Sequence, residues 1–454
     1  IENLENLGVD DAYDTESVKV NKEAVALDCD FRFLAFADPH ELVDEKYYKY
    51  RNIASKGVVD CVIGLGDYNP YRTYERNELK FLLTDIISKS GREANKIYVV
   101  GNHDVMADFD WIWQRGAYAE VQPPISTDYV YTKKEQFEIM THHLCHTAVF
   151  NPLDPYGCYY YIDFEPQKTR IIILNSSDIY EDDGTLQYYY KELMAFHQKQ
   201  ITWFTDVALD FMDKGIDRSN WHVAVFVHHI TPNPLMFADI LSAVKNGSNL
   251  VGSWNNSKKR EYDETTHKYL GTYTDDGVTV TANKNYTEQG AIDVIGVFHG
   301  HSHNDVTKVI GNSDIKRFEF ISDGYTNHLW KAEVNGLTAG QYYFKVLTGN
   351  KKYYEFQLED ALPSAKYVAY NSYFDTSSAS MEEYIFDDEN KIIWFKVLSP
   401  QDTAPVSGTE ITDFVDTEDT EVKKEKCAIV CLDYSNKTMI SYPFGNASYR
   451  EETW

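Results

Sequence analysis

Residues 31–40 read Phe31-Arg32-Phe33-Leu34-Ala35-Phe36-Ala37-Asp38-Pro39-His40, an apolar run that stops abruptly on charged and polar side chains. A parallel strand buried on both faces produces such a run, and the loop that carries its chemistry begins where the run ends. The same transition recurs twice downstream. Residues 58–65 are strand-like and end on Gly66-Asp67, and residues 96–100 are strand-like and end on Gly101-Asn102-His103-Asp104. Between them, residues 47–56 and the amphipathic segment 78–90 read as helices. Strand, helix, strand, helix, strand predicts an α/β fold in which helices cover a sheet. Sheets of that kind place ligand sites at the carboxyl ends of their strands.

Further along, residues 170–174, 222–227, 292–298 and 318–322 read as core strands. Two of them lead into polar motifs, His228-His229 and Gly300-His301-Ser302-His303. A helix is predicted over 134–147, and a longer one over 188–214 with Phe196, Ile201, Phe204, Ala208 and Phe211 on one face. Residues 246–290 are polar and read as an extended loop or hairpin. Residues 331–425 give short alternating strands closed by the acidic stretch 413–421, and two more strands follow at 427–432 and 438–442. The expected organisation is an acidic arm at 1–28, a core at 29–330, a β-rich insertion or small domain at 331–425, and C-terminal strands at 426–454 that complete the core.

Composition narrows the classes of partner. The chain has 454 residues, enough for a large core with insertions, and a formal net charge of −28. Such a field repels nucleic acids and anionic membranes, so general nucleic-acid binding is not expected. No apolar run reaches the ~18 residues of a membrane-spanning helix. Six cysteines at this length do not indicate a disulfide framework, and Cys61, inside an apolar run, is expected to be a buried thiol. The acidic, Tyr-rich and Asn-rich composition favours a secreted or cell-surface location over a cytoplasmic one. The opening residue, Ile1, fits a mature exported product and a trimmed chain equally.

The five polar segments are rich in oxygen and nitrogen donors. Carboxylate, amide oxygen and imidazole suit Mn, Fe or Zn in a reactive site, whereas a structural zinc site is more often rich in thiolate. Asp38 and His40, like His301 and His303, stand two apart, and in an extended segment such residues point the same way and can meet one ion. Asp67 has two oxygens to share between ions. Read alone, it is equally a turn aspartate ahead of Asn69-Pro70. His228 and His229 are adjacent at a strand end, so they are predicted to face opposite ways and only one to be a ligand. His142, His143, Cys145 and His146 form another cluster, and an ordinary helix surface is its plainer reading.

In order and wording the five segments resemble the calcineurin-like metallophosphoesterase family, whose pattern runs D-x-H, G-D, G-N-H-D/E, H and G-H-x-H. The resemblance covers roughly residues 29–325 and resumes near the C-terminus. It implies a four-layer α-β-β-α sandwich of two mixed sheets flanked by helices, here with a β-rich insertion toward the C-terminus. It also implies two divalent or mixed-valence ions, Mn, Fe or Zn. Asp38, His40, Asp67 and His303 would hold the first, and Asp67, Asn102, His228 and His301 the second. His103 then faces the leaving-group oxygen with Asp104 orienting it, and Asn102 and His103 contact substrate. His299 falls outside the pattern and reads as structural. The implied activity is that of a phosphoric ester hydrolase, in which a metal-bridging hydroxide attacks phosphorus in line and no phosphoenzyme forms. Trp111, with Trp113 and Tyr118, follows the third motif closely and reads either as a stacking wall for substrate or as packing within an insertion. A phosphodiesterase acting on a small molecule or polymer is preferred to a monoesterase. The alternative is a glycan- or cell-wall-binding protein on the same scaffold with little turnover.

Overall fold

The computed structural model describes residues 29–39, 59–68, 96–102, 104–105, 131–178, 196–230, 233–255, 279–301, 306–320, 427–442 and 449–454 in full. It describes the backbone alone of further strands within 181–186, 258–275, 328–410 and at 426 and 443–445. The chain divides into two compact units, one made of 1–322 with 427–454 and the other of 323–426.

The α/β class expected from the sequence holds in the first unit, which is built on two mixed sheets. In the six-stranded sheet Phe31–Phe36, Cys61–Gly64 and Lys96–Tyr98 run parallel, with Phe36 opposite Gly64 and Gly64 opposite Tyr98. Lys426–Asp433 pairs antiparallel with the first strand, Phe31 opposite Leu432, and Thr438–Gly445 and Arg450–Thr453 follow it outward. The seven-stranded sheet has the parallel strands Thr169–Ile173, His222–Phe226, Asp293–His299 and Lys316–Glu319 at its centre. Val306–Val309 closes one side, and Tyr160–Phe164 with Val149–Phe150 closes the other, all antiparallel.

Alternation along each strand explains why the central strands are apolar throughout. Ile171, Ile173, Ala224, Phe226 and Phe298 face the first sheet, where they meet Phe33, Ala35, Ile63, Ile97 and Val430. The Phe33 ring stands edge-on to both Phe226 and Phe298, with centroids 5.4 Å apart in each case. On the opposite face, Ile172, Leu174, Val223, Val225 and Val297 pack against Phe196, Ile201, Phe204, Phe237, Ile240 and Leu241. These come from the helices Gln198–Trp203 and Pro234–Asn246 and the turns beside them. Layers on both sides leave no solvated face, so polar residues gather toward the strand ends, with Arg170 buried near the start of Thr169–Ile173.

Two predicted helices are shorter than expected. The first spans Lys133–Met140 and gives way to a 3-10 turn at His142–Leu144. Thr132 caps its start in a capping box with Glu135, and at its end Thr141 Oγ1 donates back to Phe137 O at 3.2 Å. Of the helix predicted over 188–214, residues 188–195 lie outside the described residues; among those described, it is α-helical at Gln198–Trp203, continues as a π-turn at Phe204–Ala208, and is succeeded by a 3-10 segment at Met212–Asn220. Arg170 packs against this break. Its buried guanidinium donates to the carbonyls of Ala208 (3.1 Å) and Asp210 (2.7 Å), taking acceptors that a continuing helix would need, and is anchored by two bonds to Asp163. The apolar face holds nonetheless, since Phe196, Ile201, Phe204, Ala208 and Phe211 are all fully buried.

The 246–290 segment takes the hairpin form. Asn249–Asn255 pairs with Thr279–Asn285, and Lys258–Asp263 pairs with Lys268–Asp275 beyond it. The described strands of the second unit form two small sheets. One gathers His328–Glu333, Ile392–Val397 and shorter strands, and the other Tyr342–Leu347, Lys352–Gln357 and Thr409–Glu410.

Candidate metal centre

Five candidate residues sit just past strand ends at one edge of the two sheets. Asp38 follows the strand ending at Phe36, Asp67 the one ending at Gly64, and Asn102 the one ending at Tyr98. His228 follows Phe226 and His301 follows His299. All but His301 are almost wholly buried.

Their polar atoms converge. His228 Nε2 lies 3.2 Å from Asp67 Oδ2, 3.0 Å from Asn102 Oδ1 and 3.9 Å from Asp38 Oδ1. His301 Nδ1 lies 2.9 Å from the same Asn102 oxygen. One donor atom from each of Asp67, His228 and His301 falls within 4.8 Å of the others. Backbone bonds lock the set together: His301 N–H donates to both Asp38 oxygens (3.0 and 2.9 Å), and Asp38 N–H donates to Gly66 O at 3.0 Å.

The chemistry of this set tests whether a cation fits. His228 Nδ1 stands 2.7 Å from Leu65 O, so Nδ1 carries a proton and the neutral ring turns a lone pair outward at Nε2. That lone pair faces a carboxylate oxygen and an amide oxygen, which are also acceptors. Acceptors facing one another require a proton or a cation among them. A proton serves in the metal-free chain: burial works against the charged ring, but Asp67 and then Asp38 outweigh it and raise the His228 pKa to about 9. A divalent ion satisfies the same atoms better, because it needs several ligands at once. The residues present fit a metal.

Backbone conformation marks the same positions. Asp38, Asp67 and His301 have φ of +52°, +56° and +73°, a region that side-chain-bearing residues seldom adopt. Such strain persists where surrounding contacts over-determine it, and it gathers at functional sites. Glycine is needed where the loops nearly touch. A Cβ on Gly101 would lie 2.2 Å from both Asp67 N and Asp67 Oδ1.

Asp104 is fully buried and accepts three backbone N–H bonds at 2.8 Å, from Gly101 and Asp67 on one oxygen and from Tyr68 on the other. It therefore ties the second motif to the third. His40, His103, His303 and Trp111 lie outside the described residues, as do Asn69, Trp113 and Tyr118.

The adjacent histidines do not face opposite ways as an extended strand would dictate. The strand ends at Phe226, and past it the rings of His228 and His229 are 5.6 Å apart, with His229 only 5.0 Å from the His301 ring. His228 is the one whose Nε2 meets the carboxylates. His229 N–H instead donates to Ser176 Oγ at 3.3 Å. Ser176 belongs to Asn175-Ser176-Ser177-Asp178, a buried polar run just past the strand Thr169–Ile173. The sequence reading passed over this run, although it has the same signature as the other motifs, an apolar strand stopping on polar residues. His299 is buried with its pKa held down to about 3 by burial, so it is neutral and packs as a core residue. In the His142 cluster, His143 Nε2 bonds to Lys96 O at 2.8 Å and His142 packs edge-on to Phe137, a packing arrangement.

No family model matches the chain, and no curated protein matches it in sequence. Among solved structures it is similar to a dimetal phosphatase from Danio rerio at 10% identity and a TM-score of 0.39, covering 94% of this chain and 100% of that one. Among the described residues no helix is long and apolar enough to cross a membrane.

Proposed function

We propose that the chain is a metal-dependent phosphoester hydrolase of the calcineurin-like metallophosphoesterase type, using two divalent ions. The observation that carries this reading is the convergence of Asp38, Asp67, Asn102, His228 and His301 from five strand ends, with the buried His228 Nε2 turned toward carboxylate and amide oxygens. When bound, the ions supply Lewis acidity and make a water molecule nucleophilic near neutral pH.

The chain's own residues do the positioning. Asp38, His40, Asp67 and His303 would hold one ion, and Asp67, Asn102, His228 and His301 the other. Leu65 O fixes the His228 tautomer, and the His301 N–H fixes the Asp38 carboxylate, so both groups are held in place by backbone partners. In this reading His103 donates to the leaving-group oxygen. Asp104 holds the loop on which His103 sits, through its bonds to Gly101, Asp67 and Tyr68. A phosphodiester is the preferred substrate class.

The test is hydrolysis of bis(p-nitrophenyl) phosphate beside p-nitrophenyl phosphate, with Mn added and Asp67→Asn as the blank. Turnover that vanishes in the variant supports the hydrolase, and the faster substrate assigns diesterase or monoesterase. Equal rates in wild type and variant on both substrates would sink the reading.

A further inference from the structure

A second pair of reactive side chains lies at the start of the first sheet, away from the donor set. Cys29 is half-buried and stands two residues before the strand Phe31–Phe36, whereas Cys431 is buried on Lys426–Asp433, with Arg32 opposite it in register. The two side chains hydrogen-bond to each other. The backbone on either side of Cys29 is pinned to the Cys431 strand. Asp30 N–H donates to Leu432 O at 2.9 Å, and Tyr434 N–H donates to Asp30 Oδ2 at 2.8 Å.

The two sulfurs differ in character. The Cys29 hydrogen bond lowers the Cys431 pKa, burial opposes it, and the Arg32 guanidinium lowers it again. Cys29 moves the other way, pushed up by Cys431 and by burial. The proton therefore rests on the accessible sulfur, and the buried Cys431, beside Arg32, is placed to take that proton as Cys29 reacts. Of the remaining cysteines, Cys61, Cys158 and Cys427 are buried and Cys145 is exposed.

We propose that Cys29 and Cys431 form a thiol–disulfide exchange site that takes a low-molecular-weight disulfide as co-substrate and closes into a bond between the first and last core segments. Cys29 attacks one sulfur of the small disulfide as its proton passes to Cys431. A mixed disulfide forms on Cys29, and one small thiolate leaves. Cys431 then loses that proton to solvent and attacks the Cys29 sulfur, expelling the second small thiolate. Two protein thiols become one disulfide, and the reagent is reduced by two electrons to two thiols. Excess small thiol reverses both steps.

The experiment uses the full chain. The protein is incubated with oxidised glutathione, quenched with N-ethylmaleimide, digested without reduction and analysed by mass spectrometry. The expected product is a peptide pair joined through Cys29 and Cys431 that dithiothreitol separates, with Cys145 carrying at most a glutathione adduct. Cys431→Ser should stop at a glutathione adduct on Cys29. Wild-type protein in which both cysteines carry maleimide, or in which Cys29 ends as the adduct or joined to another cysteine, overturns the proposal. The wild-type peptide map decides this even if a variant does not fold.

Discussion

The two ends of the second sheet's parallel strands are built from the same apolar segments and treat charge in opposite ways. At the amino end, Thr169, His222 and Asp293 stand in one row. Asp293 receives His222 Nδ1 at 2.8 Å, Lys437 Nζ at 2.6 Å and Trp454 Nε1 at 3.2 Å, and Tyr434 stacks on His222 with centroids 3.7 Å apart. Every acceptor meets a donor there. Burial works against the Asp293 charge, but these bonds outweigh it and hold its pKa down to about 2. At the carboxyl end, Asp67 and Asn102 converge on His228 Nε2, where a proton holds the carboxylate and a cation could take its place. A polar cluster that closes on itself stabilises the fold, and one that needs an outside cation is kept for its chemistry.

Substitutions at the two ends should separate these roles. The largest effect is expected from Asp67→Asn, which should lower kcat/KM by ~100-fold or more while the far end stays intact. Next is Asp293→Ala, which removes the acceptor that three donors share and should cost about 2–3 kcal/mol of unfolding free energy with kcat unchanged. Urea denaturation beside the phosphoester assay would show whether stability and turnover part company in this way. Loading sharpens the contrast: Mn should raise the melting temperature of wild type and Asp293→Ala alike, leave Asp67→Asn unmoved, and lose its effect on chelation.

The pH dependence follows from the sign of the Asp293 shift. Its folded pKa of about 2 lies below the ~3.9 of an unfolded aspartate. The bonded carboxylate therefore adds stability above about pH 4, and that stability is lost as pH falls toward 2, at most about 2 kcal/mol. Asp293→Asn should flatten this part of the acid limb, and an unchanged acid limb would assign the slope to other carboxylates. The smallest effect is expected from Lys437→Ala, less than about 1 kcal/mol, because its side chain is half exposed.

Much of the carboxyl end was legible because burial on both faces forces an apolar run, and that run marks where polar residues begin. Asp38, Asp67, Asn102, His228 and His301 each stand just past such a run. What pattern could not carry was backbone conformation and distant partners. The positive φ of Asp38, Asp67 and His301 arises from loops meeting across two sheets. The bracing role of Asp104 depends on N–H groups from another loop, and the carbonyls of Ala208 and Asp210 at the helix break are met by Arg170, some forty residues away in sequence. The amino end was unread for the same reason, since Lys437 and Trp454 reach Asp293 from the last strands of the chain.

The pairing of Phe31 with Leu432 also has a consequence in time. During synthesis at roughly 5–20 residues per second, the first core strand emerges and waits some 20–80 s for its antiparallel neighbour. Until then one edge of the first sheet is open to other chains, and Phe31 and Phe33 lack Leu432 and Val430 beside them. The segment 323–426 is complete before that neighbour appears, so on the ribosome the insertion is free to fold while the sheet that flanks it is still unfinished.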